Sequence, residues 1–244
     1  MMTKKTFNNK QNNWINLNTD NKKEFQKLSD EYDIDEDIIR YSLDKNERAH
    51  LDYDKTTNVL TLIYNVPNQL KIDNHYETIP MTFIIKDHTL ITLTNSKNHY
   101  VYFMMKNAIE KDDTLSVFEF LFNSLFMITD QFFPYVEEMN NERTRVSSKL
   151  KKKTTKQNLL SMSDLETGIV FFISASKQNV VLLEQIKTHI FYKNLAASEK
   201  EELDDAMIEA KQLVEMTQLS SQILQQLSGT YNNVLNNNLN DTMR

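Results

Sequence analysis

The chain is 244 residues long with a mass of 28.8 kDa, enough to bury a real core as one large domain or two smaller ones. Its formal charge of −6 at pH 7 argues against general nucleic-acid binding, which needs a basic face. The absence of cysteine excludes a disulfide framework, a thiolate metal site and a cysteine nucleophile, and it fits a reducing cytoplasm.

Two glycines and three prolines are few for a protein of tight turns and short strands, so long helices are expected. The N-terminal MMTKKTFNNKQNNW lacks the apolar core of a signal peptide. No run approaches the roughly 18–20 apolar residues that span a bilayer, so the chain as given is expected to be soluble. Residues 14–17 (WINL) predict a short strand. Residues 22–28 and 35–43 predict short helices, the latter with Ile34, Ile38 and the Tyr41/Ser42 turn on one side. Residues 58–66 (NVLTLIYNV) form a β-rich apolar run ended by Pro67, and residues 78–86 and 89–94 predict a hairpin around Asp87 and His88. Residues 97–111 return to helix. Short helices mixed with a small sheet predict an α/β layer domain over residues 1–113.

From Thr114 onward every segment is long and helical, giving an α+β class overall. Residues 114–152 place Phe118, Phe122, Leu125, Phe132, Val136, Met139, Val146 and Leu150 at helical spacing, with Pro134 expected to bend or break the helix. Residues 155–192 carry Met162, Leu165, Ile169, Phe172, Leu183 and Ile186. Only a lysine-rich connection separates the two, which predicts an antiparallel hairpin within residues 114–197. Its cluster of Lys149, Lys151, Lys152, Lys153 and Lys156 is either a solvated helix end or a contact for an acidic surface or anionic lipid headgroups.

The third helix, residues 198–244, opens on a Ser198-x-x-Glu201 capping box. One apolar stripe runs through Leu203, Met207, Ala210, Val214, Leu224, Tyr231 and Leu235. A second runs through Leu213, Met216, Ile223, Leu227 and Val234, and is expected to pack on a neighbouring copy, since a monomer's surface helix needs only one. A polar stripe of Gly229, Asn232 or Asn233, Asn236 and Asn240, ending in Met243, would face the axis of a symmetric ring.

The histidines at 50, 75, 88, 99 and 189 lack zinc-site spacing, and two glycines cannot supply a nucleotide-binding loop. The acidic pairs, such as Asp204-Asp205, are ordinary solvated faces of predicted helices, so an enzyme is not expected.

The final stretch, YNNVLNNNLNDTMR, keeps placing asparagine on a helix although asparagine is a mediocre helix former, which suggests that the amides are used. Asn240, Asp241, Thr242, Met243 and Arg244 match an Asn-x-x-Met-Lys/Arg ending. Over nearly its whole length, most strongly in residues 118–244 and 58–94, the chain resembles the cytoplasmic part of CorA-family divalent-cation channels. In that family this ending leads into the first transmembrane helix.

The resemblance implies a funnel-shaped homopentamer at the cell membrane, with this portion on the cytoplasmic side and the membrane reached through a segment beyond Arg244. It implies magnesium as regulatory and transported ion, with cobalt or nickel as further ions. Asn236, Asn240 and Met243 would line the inner pore. Registering the family's stalk helix on Tyr231 and Asn240–Met243 puts its sensing aspartate at Asp205, with Asp204 and Glu209 close by. The chain departs from the family where a partner acidic pair is expected, having Arg40 and Tyr41 flanked by Asp37 and Asp44. It also departs at the hairpin tip, which is often acidic in the family and lysine-rich here. The alternatives are a ZntB-like zinc transporter domain and a soluble helical scaffold that binds proteins.

Overall fold

Residues 59–67 are buried without exception, in a strand that lies one place in from the edge of the sheet. The structure is a computed structural model that describes residues 2–243. Its strands are β1 (Thr3–Phe7), β2 (Asn12–Asn18), β3 (His50–Asp54), β4 (Val59–Pro67), β5 (Thr78–Lys86) and β6 (Thr89–Thr94). They pair in the order β1-β2-β6-β5-β4-β3, antiparallel throughout except for β2 against β6. The β5–β6 hairpin turns at Asp87, in the left-handed region at φ 54°, as its sequence predicted.

Alternation along the strands sends side chains to two different cores. One face, with Ile15, Leu17, Ile84 and Ile91, is covered by Leu28 and Ile38 of the short helices α1 (Lys22–Asp30) and α2 (Glu36–Leu43). The other face, with Trp14, Leu62, Tyr64 and Phe83, shares one continuous core with the long helices. These are α3 (Tyr100–Lys111), α4 (Val117–Asp130), α5 (Phe132–Lys152), α6 (Lys156–Thr188) and, after a 3₁₀ turn at Ile190–Asn194, α7 (Ala197–Thr242). Buried Trp14 donates its indole N–H to Thr92 at 3.0 Å, and Thr92 donates to Asn16 at 2.7 Å, so the polar atoms in this face are paired.

The expected helix over residues 114–152 is two helices. Pro134 has no N–H for the carbonyl of Asp130, and the chain breaks there, with Gln131 joining α4 to α5. The capping box at Ser198 is also corrected. α7 begins at Ala197, and Glu199 rather than Glu201 reaches back to accept the Ala196 N–H at 2.7 Å. Glu199 Oε2 also accepts the hydroxyl of Ser116, the N-cap of α4, at 2.7 Å, so one carboxylate ties two helix starts together. By length and composition α6 could cross a membrane, against the expectation that no run would. In this fold, however, Ile169, Phe172, Leu182 and Leu183 are buried side chains of the main core.

β3 stops at His50, opposite Ile63, leaving the outer backbone edge of Asn65 without a neighbouring strand. The side-chain amide of Asn179 on α6 takes that place. It accepts the Asn65 N–H at 2.9 Å and donates to the Asn65 carbonyl at 3.0 Å, as a strand's peptide group would. Both residues are buried, so removing the amide strands a donor and an acceptor. Asn179→Ala is expected to lower unfolding stability by about 2–4 kcal/mol in a denaturant titration. A loss under about 0.5 kcal/mol would contradict the role given to this amide.

Candidate functional site

α7 is 46 residues long, about 70 Å at 1.5 Å per residue, and the hairpin of α5 and α6 together with α4 packs along it only part of the way. Leu203, Met207, Ala210, Leu213 and Leu224 are buried, and the last buried side chain is Tyr231. The Tyr231 hydroxyl donates to the Ser147 carbonyl at 3.0 Å and lies 3.0 Å from the Ser147 hydroxyl, which pins α7 to the upper part of α5. Further down, Ser220 donates to Asn140 of α5 at 2.7 Å, and Ser228 bonds Glu166 of α6. Thus α5 runs parallel to α7 and α6 runs antiparallel.

The expected second apolar stripe is mostly not free for another copy. Leu213 is fully buried, and Met216 and Leu227 pack half-buried against the chain's own core. Three helices wrap a wider arc of α7 than one hairpin would. The apolar side chains that α7 leaves exposed are Ile208, Leu219, Val234, Leu239 and Met243.

Two groups of residues singled out in the sequence lie at opposite ends of α7. Near its start, Asp205 and Glu209 share one face at helical spacing with Glu202, and Glu202 and Glu209 lie near Glu119 and Asp130 of α4. Burial, and then the charges of Asp205, Glu119 and Glu201, push the Glu202 carboxyl above the usual glutamate range. Glu209 is pushed up in the same way by burial and then by Asp130. These carboxylates on α7 and α4 therefore repel one another through a partly desolvated seam. Asp204 is separated from them. It points toward α6 and forms an ion pair with Lys187 at an angle that gives no directed hydrogen bond. Asp205 is exposed, and among the described residues no three acidic or histidine side chains of one chain converge as a metal site. Arg40, at one of the positions where the family has an acidic pair, is bound to Asp37 at 2.9 Å.

At the other end, Asn236, Asn240 and Met243 are all exposed, Met243 at 86%. Beyond Tyr231 only Leu235 is half-covered, so the last 16 Å or so of α7 packs little against the rest of the chain. Arg244 lies outside the described residues.

Sequence logic reads Glu202, with Glu201, as an ordinary solvated face, because its position in the seam depends on α4, and it passes over Glu119 and Asp130 for the same reason. A signal existed in the i, i+3, i+7 spacing of residues 202, 205 and 209.

The family model described as "CorA-like Mg2+ transporter protein" matches residues 9–244. No curated protein matches the chain. Among solved structures, the complete CorA magnesium transporter of Methanocaldococcus jannaschii superposes with a TM-score of 0.82 at 18% identity, covering 95% of this chain and 73% of that one. The soluble domain of CorA from the same organism gives 0.75 at 19%, covering 88% and 86%. The ZntB cytoplasmic domain of Vibrio parahaemolyticus gives 0.67 at 10%, covering 94% and 88%. At these identities the likeness is one of fold.

The raised carboxyls have a consequence for stability. Unfolded, Glu202 and Glu209 titrate at the ordinary glutamate value; folded, they keep their protons to higher pH. The folded chain then binds more protons in the window just above that value, so stability from these groups falls as pH rises through it. Glu202→Gln is expected to raise the thermal midpoint at neutral pH by about 1–2 °C and to change nothing at about pH 4. A lowered midpoint at neutral pH would contradict the repulsion.

Proposed function

Because this chain belongs to the CorA-like Mg2+ transporter family, matched over residues 9–244, we propose that it is the cytoplasmic regulatory part of a divalent-cation channel. Its first task is to sense the ion, and its second is to form the inner entrance of the pore. The observation that carries the proposal is the shape of α7, packed as far as Tyr231 and free from there to Thr242. A helix that leaves its own core with asparagines exposed is suited to continue toward a membrane beside copies of itself. In a homopentamer, Asn236 and Asn240 would offer amide oxygens to a hydrated cation, and Met243 would form an apolar constriction.

The acidic seam supports the sensing role. Asp205, Glu202 and Glu209 are hard oxygen donors of the kind magnesium takes, and magnesium keeps several waters while binding one or two carboxylates. With the ion bound, the repulsion that raises the Glu202 and Glu209 carboxyls would be neutralised; with the ion gone it would return and loosen the assembly. Asp204, paired with Lys187, serves this less directly. Zinc, the ion of the ZntB reading, favours nitrogen and sulfur donors, and the sequence has no cysteine. Cobalt and nickel stand between the two.

Magnesium at ten times its dissociation constant is expected to stabilise an assembled sample by about 1.4 kcal/mol, a rise of about 3–6 °C in thermal midpoint. Sodium at matched ionic strength should not do so. Asp205→Ala should remove most of the rise, and Asp30→Ala, an exposed carboxylate on α1, should leave it intact. Equal rises in the two variants would leave Asp205 an ordinary surface residue. A larger response to zinc than to magnesium would favour the ZntB reading.

A further inference from the structure

The lysine-rich tip of the α5–α6 hairpin plays no part in the function proposed above. Between Glu142 and Asp164 the chain has no acidic residue, yet this stretch carries Arg143, Arg145 and the five lysines of the hairpin tip. α5 ends at Lys152 and α6 begins at Lys156, so the lysines crown the turn between them. Lys149, Lys151, Lys152, Lys153 and Lys156 are all exposed, and none of them forms an ion pair among the described residues. In a chain whose formal charge is −6, an unpaired cationic tip calls for an anionic partner.

The tip's place in the fold selects the partner. Ser147 is level with Tyr231 through their hydrogen bonds, and α5 runs parallel to α7. Lys152 therefore stands about 7 Å above that level and Met243 about 18 Å above it. The lysines lie about 10 Å short of the end of α7, a gap that an extended lysine and one Debye length cover. The neighbouring stretch of α7 contributes no opposing field. From Met216 to Asn240 it has no charged side chain, and Asp241 is the one acid near its end.

We propose that the hairpin tip is a membrane-contact surface whose lysines bind the anionic phospholipid headgroups of the leaflet that α7 approaches. This rests on the reading that α7 continues toward a membrane. The contact would brace α5 and α6 against the bilayer at a distance from the axis of α7, with the tip at the outer rim. Because the attraction is between exposed charges and a charged surface, it is screened by salt.

Flotation of this chain with vesicles tests the proposal. Phosphatidylcholine vesicles containing roughly one-third phosphatidylglycerol should carry it upward at low salt, and pure phosphatidylcholine vesicles should not. The triple variant Lys151→Gln, Lys152→Gln, Lys153→Gln should partition on the order of a hundredfold less, each lysine being worth about a fivefold factor at the surface. The matched variant Lys4→Gln, Lys22→Gln, Lys23→Gln, also at exposed positions, should stay within about twofold of the parent. A second arrangement places the tip where α7 would hold it. The chain is tethered through a C-terminal histidine tag to nickel-chelating lipid, and a dye sits on Thr154→Cys, which is the sole cysteine. Headgroup-labelled lipid should quench that dye on the anionic bilayer, and the lysine triple variant should abolish the quenching. Equal behaviour of the two triple variants, equal binding to neutral vesicles, or capture of polyphosphate with neither flotation nor quenching would overturn the proposal. If those failures came with an intact magnesium response at Asp205, the channel reading would stand and only the lipid contact would fall.

Discussion

Everything proposed for this chain depends on where the packing of α7 stops. For most of its length, Leu203, Met207, Ala210, Leu213 and Leu224 bury an apolar side against α4, α5 and α6. Tyr231 closes the run with two polar contacts to Ser147, which satisfy a buried hydroxyl that would otherwise be costly. Beyond that point no side chain is buried and only Leu235 is half-covered, so the helix gains little tertiary stabilisation. Asparagine is also a poor helix former, so this end depends on what lies beside it in the assembled protein. A molecule built in this way delivers a rigid rod from a well-packed base to a point outside its own core.

The charges are arranged along the same rod. Its base carries carboxylates at 202, 205 and 209 facing Glu119 and Asp130 on α4, and two of them are held above their usual range by burial and mutual repulsion. From Met216 to Asn240 the rod has no charged side chain, and the neighbouring hairpin tip is cationic. Divalent cations would be drawn to one end and anionic headgroups to the other. A base that repels itself is stable enough alone, because its carboxylates are partly solvated, but it gains from any cation placed in the seam.

Much of this was legible in the residues. The apolar run at 58–66, the hairpin at Asp87 and the helical spacing of α5 and α6 carry their own periodicity, and the Asn-x-x-Met ending following an α/β domain and long helices carried the family resemblance. What could not be read depended on neighbours distant in sequence. β1, with TKKTF, and β3, with HLDYD, are polar strands at the two edges of the sheet, ordered by pairing with β2 and β4 rather than by any pattern of their own. The second stripe of α7 looked free because three helices covering one was not foreseeable from the stripe itself. At the site, the spacing of 202, 205 and 209 was visible. That Asp204 would turn away to Lys187 depends on how α6 lies against α7, which only the fold reveals.

The claim that matters most is that the free ends of α7 from several copies surround a common axis, and the chemistry of the sequence makes it directly measurable. With no native cysteine, a single substitution at Asn240 reports on one position alone. In membranes containing the whole gene product, Asn240→Cys should form disulfide-linked dimers under mild oxidation, and a cysteine at Gln225, exposed lower on the same helix, should not serve as well. Magnesium should raise the yield at Asn240 by favouring the assembled state. Absence of a cross-link at Asn240 with and without magnesium, while the protein remains folded and in the membrane, would contradict the account.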